Sequence, residues 1–343
     1  MAPSVGQFAS TSWKPGLFDN KVLFCTGGSG SICSGQVRAL VALGANACIV
    51  GRNHDKAKNV AADIALVRPG STVLGLGGVD VRNHESVKEA VDTCVQRLGG
   101  IDFVMWVVAI SLHPSNHLCV ALDTSWLAAP TKYNTPWYRA GAAGNFVSTI
   151  DDLSVNAFKA VVDIDLVGSF ITAKLTLPHL AASAERARTN KDLDSSSLTG
   201  GRIIFVSSTN YQCARIAQAH VCAAKAGVNA LSDCISLEYG PRGVTSNVIA
   251  PGLIDDTEGA RRLTDPTLRN DLIRSVPVQR LGLIKDISDA TIFLFADTGS
   301  FVNGATIDVD GGAWRIRAAG AGPNYPSLPS RAHQVKLGGS SKL

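Results

Sequence analysis

Short apolar runs alternate along the chain with longer segments in which apolar residues recur every three or four positions. The runs are typical of buried strands and the longer segments of amphipathic helices. Seven runs are present, at residues 21–25, 47–51, 72–81, 101–105, 201–207, 245–249 and 305–309. Strands that alternate with helices form a parallel sheet covered on both faces. The pattern therefore predicts an α/β fold with a doubly wound, seven-stranded parallel sheet in a single domain.

The first strand leads into a glycine-rich turn, TGGSGSIC, which is followed by a helical pattern. Glycines let the backbone approach a pyrophosphate closely, and the amino terminus of a helix favours its negative charge. A strand, such a turn and a helix together are typical of a Rossmann-like dinucleotide site. The residues of the turn expected to contact the cofactor are Thr26, Gly27, Gly28, Ser29, Gly30, Ser31 and Ile32.

Arg52 follows the second strand, where an acidic residue would bind the 2′-hydroxyl of an adenosine ribose. An arginine suits a 2′-phosphate instead, so we expect NADPH rather than NADH as the cofactor. The alternative is a solvent-exposed arginine on a loop.

The amino-acid composition and the net charge limit the class of protein to which this chain can belong. Hydrophobic residues make up 45% and charged residues 17%, which indicates a globular protein with a large core. The net charge of +4 is too small to predict nucleic-acid binding and suits an acidic small molecule. No apolar run reaches the roughly 18 residues of a membrane span. The eight cysteines form no CxxC pair, so we expect buried free thiols in a reducing compartment.

The main domain is expected to cover residues 18–316, after an irregular arm at 1–17. Residues 317–343 are rich in Gly, Pro and Ser, which favours a flexible tail. The tail ends in Ser341-Lys342-Leu343, a tripeptide that the peroxisomal import receptor reads. The sequence therefore predicts that receptor as a partner and the peroxisome matrix as the location.

Residues 106–139 interrupt the alternation, because they show neither a helical nor a strand period. Connections longer than about 15 structureless residues are unusual in a compact domain. A retained intron is the interpretation we favour, and a lid over the substrate is the alternative. His113 and His117 flank Pro114, which disfavours the helix that would align them, so no metal site is expected.

The stretch from Ser207 to Lys225 is predicted as a strand end, a loop and the first turns of a helix. A lysine there lies beside the cofactor at the carboxyl edge of the sheet. This region resembles the active site of the short-chain dehydrogenase/reductase family, whose usual pattern is YxxxK. Val221 stands where the family has the tyrosine that donates a proton.

The resemblance implies further cofactor contacts. The turn departs from the family pattern TGxxxGxG at Ser31 and Cys33. Family members place residues matching Asp80 and Val81 beside the adenine and Ala142 beside the nicotinamide ribose. The implied contacts of the nicotinamide itself are Pro251, Gly252, Ile254 and Thr257.

The segments AAGNF, DID and TEGARRL resemble the 2,4-dienoyl-CoA reductases, and the peroxisomal ones in particular. The resemblance implies NADPH-dependent reduction of 2,4-dienoyl-CoA to 3-enoyl-CoA in peroxisomal β-oxidation of unsaturated fatty acids. Arg261, Arg262, Arg269 and Arg274 would then bind coenzyme A phosphates, or else be solvated arginines on a surface helix. The substrate contacts expected are Asn145, Phe146, Arg261 and Arg262.

Four residues are expected to carry the chemistry. Hydride addition to a conjugated thioester makes a dienolate, which needs its oxyanion stabilised and then a proton on carbon. By resemblance, Lys225 holds the nicotinamide ribose and lends positive charge, while Asp165 positions a water that delivers the proton. Ser208 is expected as an oxyanion donor. Tyr211 is either a proton donor or only a loop aromatic.

Two other functions remain open from the sequence. One is a peroxisomal reductase of the same family that acts on a different acyl-CoA, and the other is a cofactor-binding protein without turnover. The family resemblance also implies a homo-oligomer.

Sequencing the transcript between the codons for Met105 and Ala140 tests the intron interpretation. We expect the mature message to join IDFVM directly to AGAAGNF. A message that retains the codons for 106–139 would instead support a translated lid.

Overall fold

The computed structural model describes residues 5–106, 148–189, 200–215, 217–255, 257 and 269–318. Several predictions concern residues outside these ranges. They are the main part of the insert, Ala142, Asn145, Phe146, Arg261, Arg262 and the terminal Ser341-Lys342-Leu343.

Seven parallel strands form one sheet in the order β3-β2-β1-β4-β5-β6-β7. In chain order they are Val22–Thr26, Asn46–Val50, Val73–Leu76, Phe103–Trp106, Arg202–Val206, Thr245–Pro251 and Thr306–Val309. The predicted doubly wound sheet is confirmed. The strand order reverses between β1 and β4, and in such sheets a ligand binds in the crevice at that point, beyond the carboxyl ends of the strands.

Helices cover both faces of the sheet. Their bounds, α1 to α9, are Ser31–Ala42, His54–Ala65, His84–Leu98, Val155–Val162, Gly168–Thr189, Ala219–Tyr239, Arg269–Arg274, Ile284–Phe295 and Ala313–Ala318. Successive strand residues point to opposite faces. Leu23 and Cys25 of β1 therefore pack in the core beneath α1 and α8, whereas Phe24 packs in the core beneath α3, α5 and α6.

Several helices begin at a polar side chain that accepts a hydrogen bond from the first turn. Asn53 accepts from the Lys56 amide at 2.8 Å, and Asn83 accepts from the Ser86 amide at 3.0 Å. Such caps satisfy a backbone donor that the helix leaves open. The caps explain why α2 and α3 start directly after the loops that follow β2 and β3.

Residues 181–200 are rich in Ser, Arg and Asp, which predicts a surface loop, and this prediction is wrong for the first half of the segment. Helix α5 continues to Thr189, and Ser183 and Ala184 are buried. The hydroxyl of Ser183 donates to the Asp102 carboxylate at 2.6 Å, and that carboxylate also accepts from the Val22 amide at 2.9 Å. The polar residues of this segment thus bind the buried base of the sheet.

Part of the amino-terminal segment packs on the domain. The Trp13 indole and the Ser10 amide each donate to the Asp289 carboxylate of α8 at 2.8 Å. Ala9 is fully buried, and the Phe18 ring meets the Phe103 ring edge to face at 5.5 Å. The domain boundary near residue 18 remains a prediction.

Among the described helices, none is long and apolar enough to cross a membrane.

Candidate active site

A widened helical turn carries the first site residue. The sequence predicts one helix over 153–170, but a π-helical turn at Asp163–Val167 separates α4 from α5. Single π-turns occur frequently at functional sites. Asp165 is fully buried here while Asp163 is exposed, as their spacing predicts. The Ser169 hydroxyl donates to the backbone carbonyl of Asp165.

Lys225 lies on the second turn of α6 and is almost completely buried. Its ammonium nitrogen is 3.0 Å from Oδ2 of Asp165. The same nitrogen lies 5.6 Å from the centroid of the Trp106 ring at the end of β4. The structure thus brings together the two residues that the sequence predicted as the centre of the site.

Burial dominates the electrostatics of this ion pair. Desolvation raises the pKa of Asp165, and the nearby positive charge of Lys225 only partly opposes this. The ammonium and the carboxylate lie within ion-pair distance, so they attract each other strongly in this buried place. Neither carboxylate oxygen of Asp165 has a hydrogen-bond partner among the described residues. The carboxylate therefore keeps capacity to accept a hydrogen bond from a water or a ligand.

Val221 is a core residue. It is fully buried in an apolar cluster with Val161, Ile164 and Ala224, against which Val81 packs. The position that carries a phenol in the family pattern therefore supplies packing and no proton donor.

Ser208 caps the short 3-10 helix at Thr209–Tyr211, because its Oγ accepts from the Asn210 amide at 3.2 Å. This contact uses an oxygen lone pair and leaves the hydroxyl hydrogen available to donate. The neighbouring Ser207 Oγ is buried and has no hydrogen-bond partner among the described residues. The catalytic role of Ser208 stays a prediction, and Ser207 is a second hydroxyl at the same strand end.

The Tyr211 side chain contacts Asp308 on β7, the last strand. Its hydroxyl lies 3.5 Å from Oδ1 of Asp308 and accepts from the Gln212 side chain, which also donates to Asp308 at 2.9 Å. Burial raises the pKa of Tyr211. In the described part of the chain, no contact joins this phenol to Asp165 or Lys225. This arrangement favours the loop-aromatic interpretation of Tyr211 over the donor one.

The phosphate turn has the geometry that a dinucleotide needs. Gly27 has a positive φ of 62°, and a Cβ on Gly28 would lie 2.6 Å from the Ile49 side chain. Helix α1 starts after Gly30 with no side-chain cap and no acid in its first turn. Its first amides are therefore not taken by a cap, and the region fits a pyrophosphate.

One residue of this region was missed by sequence reasoning. A Cβ on Gly35 would lie 2.2 Å from Cγ2 of Ile284, so a glycine is required where α1 crosses α8. Its sequence signal was a glycine inside a helical pattern, which often marks close packing. The nearby Cys33, a departure from the family pattern, is buried, and burial raises its pKa to about 12.

Charged residues lie near the place where the adenosine half of the cofactor is expected to bind. Arg52 is exposed directly after β2. The Asp80 carboxylate accepts from Arg82 at 3.0, 3.1 and 2.5 Å, and this pairing lowers the pKa of Asp80. Sequence reasoning missed Arg82, although its position two residues after Asp80 was visible.

The expected nicotinamide contacts lie together beyond the carboxyl end of β6. Pro251 is the last residue of that strand, and a Cβ on Gly252 would lie 2.5 Å from Cβ of Asp310. Ile254 forms an isolated bridge with Gly282, and the Thr257 hydroxyl donates to the Ile254 carbonyl at 3.0 Å. These contacts hold the segment in a compact turn.

The expected basic patch is only partly described. Arg269 donates to both carboxylate oxygens of Asp255, at 2.9 and 2.5 Å, and Arg274 lies 3.5 Å from Asp271. Both arginines therefore have acidic neighbours within the protein. No group of three or more His, Cys, Asp or Glu residues that would suit a metal is found within the described ranges.

Family models match the chain in two stretches. The model described as short chain dehydrogenase matches residues 21–125, and the one described as Enoyl-(Acyl carrier protein) reductase matches 137–313.

Curated relatives cover nearly the whole chain. The peroxisomal 2,4-dienoyl-CoA reductase of Saccharomyces cerevisiae is 39% identical over 97% of this chain and 97% of its own length. The Arabidopsis thaliana peroxisomal 2,4-dienoyl-CoA reductase is 31% identical over 88% of this chain and 87% of its own length.

Solved structures share the fold. A short chain dehydrogenase from Bacillus anthracis superposes with a TM-score of 0.64 at 27% identity, covering 87% of this chain and 98% of its own. The citronellol catabolism dehydrogenase of Pseudomonas aeruginosa gives a TM-score of 0.63 at 26% identity, covering 88% and 97%.

Replacing one member of the buried pair should destabilise the fold more than replacing both. Asp165→Asn or Lys225→Met alone leaves an unpaired buried group, which costs about 3–5 kcal/mol when that group is charged. We expect the double variant to lose less than either single variant in urea unfolding at neutral pH. Additive losses would show that the two groups do not interact.

The same pair predicts a pH dependence. Because the pKa of Asp165 is raised above its ordinary 3.8 in the folded state, the native protein binds its proton more tightly than the unfolded chain. The Asp165 contribution to stability therefore falls as pH rises from about 3.8 through the raised pKa. Relative to Asp165→Asn, the free energy of unfolding of the unaltered protein should fall over that window.

Proposed function

The chain belongs to the short-chain dehydrogenase/reductase family, and from this membership we propose that it is an NADPH-dependent 2,4-dienoyl-CoA reductase. The proposal is that it reduces 2,4-dienoyl-CoA to 3-enoyl-CoA. Relatives named for this reaction match it over most of its length.

One observation carries the proposal beyond the family. A buried lysine and aspartate form an ion pair, while the nearby position of the usual proton donor holds a buried valine. A carbonyl reductase needs an acid at the carbonyl oxygen. A conjugated thioester needs positive charge near its oxyanion and a proton delivered to carbon.

The cofactor site fits a nicotinamide dinucleotide. The phosphate turn, with its close approach of Gly28 to Ile49 and its uncapped helix terminus, would hold the pyrophosphate. Residues 251–254 and Thr257 would border the nicotinamide. When bound, the reduced dinucleotide supplies a hydride. The substrate takes this hydride at its δ-carbon and a proton at its α-carbon, which leaves the double bond between carbons 3 and 4.

Lys225 would stabilise negative charge that develops on the thioester oxygen. Its ammonium is held within the protein rather than in solvent, so its field is weakly screened. The apolar cluster around Val221 keeps the surroundings of Lys225 apolar. Removing the ammonium should therefore slow the chemical step more than it weakens substrate binding.

Asp165 would position the water that donates the proton. Its carboxylate has unused acceptor capacity, and burial raises its pKa, so it can hold a water in the orientation from which the α-carbon is protonated. Ser208 keeps a hydroxyl hydrogen available and is proposed as a further donor to the oxyanion. Tyr211 is engaged with Asp308, and we assign it no step.

The preference for NADPH is proposed from charge. Arg52 follows β2 at the expected position of the ribose, and Arg82 lies on the next loop with Asp80. An arginine matches the geometry of a phosphate. We also propose the peroxisome as the location and unsaturated fatty-acid breakdown as the context, supported by the terminal Ser341-Lys342-Leu343 and the names of the relatives.

Binding of the cofactor without turnover is the second candidate. The insert follows directly after β4, whose last residue contacts Lys225. Ser31 and Cys33, which depart from the family pattern in the phosphate turn, also motivate this candidate.

The reaction is tested with purified full-length protein and 2,4-hexadienoyl-CoA. We expect NADPH oxidation, followed at 340 nm, and a 3-enoyl-CoA product. Lys225→Ala should lower kcat by roughly a hundredfold or more, the scale of losing one electrostatic stabiliser. Lys174→Ala, an exposed change on α5, is the matched control. Reduction of simple ketones without reduction of the dienoyl thioester would overturn the proposal, and NADPH binding without turnover would favour the second candidate.

Cofactor preference is tested by Arg52→Ala. We expect KM for NADPH to rise by roughly tenfold, in line with the loss of one charge-assisted contact, while KM for NADH changes little. The control is Arg97→Ala, a basic residue in the last turn of α3. Equal changes in KM for both cofactors would show that Arg52 does not recognise the 2′-phosphate.

A further inference from the structure

Trp106 occupies an unexpected place in the site. The sequence-based interpretation makes it the first residue of the insert, but it is the last residue of β4 and pairs in register with Phe205 of β5. Its side chain is fully buried. The indole packs in the core beside Phe205, with ring centroids 6.3 Å apart, and β4 borders the point where the strand order reverses.

Two groups contact the ammonium of Lys225 in the described part of the site. Asp165 lies 3.0 Å away, and the centroid of the Trp106 ring lies 5.6 Å away. The Lys225 side chain is only 2% exposed, so little water solvates this charge. A cation is attracted to the face of an indole, and the attraction grows when both are desolvated.

The Asp165 carboxylate holds the ammonium from one side by charge, and the Trp106 ring lies over the same nitrogen. We propose that Trp106 is a positioning residue whose indole face holds the Lys225 ammonium in its place beside the cofactor site. This inference rests on the proposed function for its catalytic meaning, although the contact itself is independent of it.

The ring, and not the indole N–H, makes the contact. Nε1 of Trp106 is buried and has no hydrogen-bond partner among the described residues. Phenylalanine keeps an aromatic face and removes this unsatisfied donor. Leucine keeps the site apolar but removes the aromatic face. These two substitutions therefore separate attraction to the cation from simple packing.

The test is a double-mutant cycle on the full-length protein. Urea unfolding and NADPH titration calorimetry are measured for Trp106→Leu, Lys225→Met, their combination and the unaltered chain. Trp106→Leu is made both in the unaltered chain and in the Lys225→Met variant, and the loss in the folding equilibrium constant is compared. If Trp106 holds the ammonium, this loss should be about three- to thirtyfold larger in the chain that keeps Lys225. The Kd for NADPH should rise about tenfold in the same lysine-dependent way.

Trp106→Phe is the conservative control and should restore most of the loss in both measurements. Trp106→Met replaces the leucine variant if that variant does not fold. Two results would show that Trp106 only fills space. One is an equal loss of stability and NADPH affinity in Trp106→Phe and Trp106→Leu. The other is a loss caused by Trp106→Leu that is the same with Lys225 as with Lys225→Met. Since unfolding needs no substrate, absence of dienoyl-CoA reduction would count against the proposed function and not against this contact.

Discussion

A buried ammonium and a buried carboxylate, 3.0 Å apart, constrain the centre of this protein. Neither charge is tolerated alone in such a place, because the loss of hydration costs several kcal/mol per ion, on the order of a domain's whole stability. The pair persists only while α6 and the π-turn at Asp163–Val167 hold the two side chains in contact. Packing of these helices on the sheet is therefore a condition for the chemistry proposed for this pair.

The surrounding core shows how that contact is maintained. Val221 and Ala224 on α6 pack against Val161 and Ile164 from α4 and the π-turn, with Val81 of the loop after β3 beside them. An apolar side chain at Val221 thus joins the two segments that carry the charges. The same replacement removes a phenol from the site, so one substitution affects both packing and chemistry.

Several buried polar groups lie at the carboxyl edge of the sheet. The Asp165 carboxylate, which pairs with Lys225, lies on the π-turn there, and the Trp106 N–H and the buried Ser207 hydroxyl have no hydrogen-bond partner among the described residues. Buried polar groups without partners are rare in native proteins, and a ligand or a bound water is one common explanation for them. At the opposite edge, Asp102 has its oxygens occupied by Val22 and Ser183, as expected of a structural group.

The sequence by itself determined the parallel sheet and the phosphate turn, because alternating periods and short motifs are local properties of the chain, while the family resemblance singled out Lys225 and Asp165 as expected site residues. Only the tertiary structure decided the π-turn, the continuation of α5 to Thr189 and the contact of Trp106 with Lys225. It also showed Tyr211 directed to Asp308. These features depend on contacts between residues that are far apart in sequence and on which side chains lie next to a buried charge. The hydrophobic periodicity of the chain cannot predict such contacts.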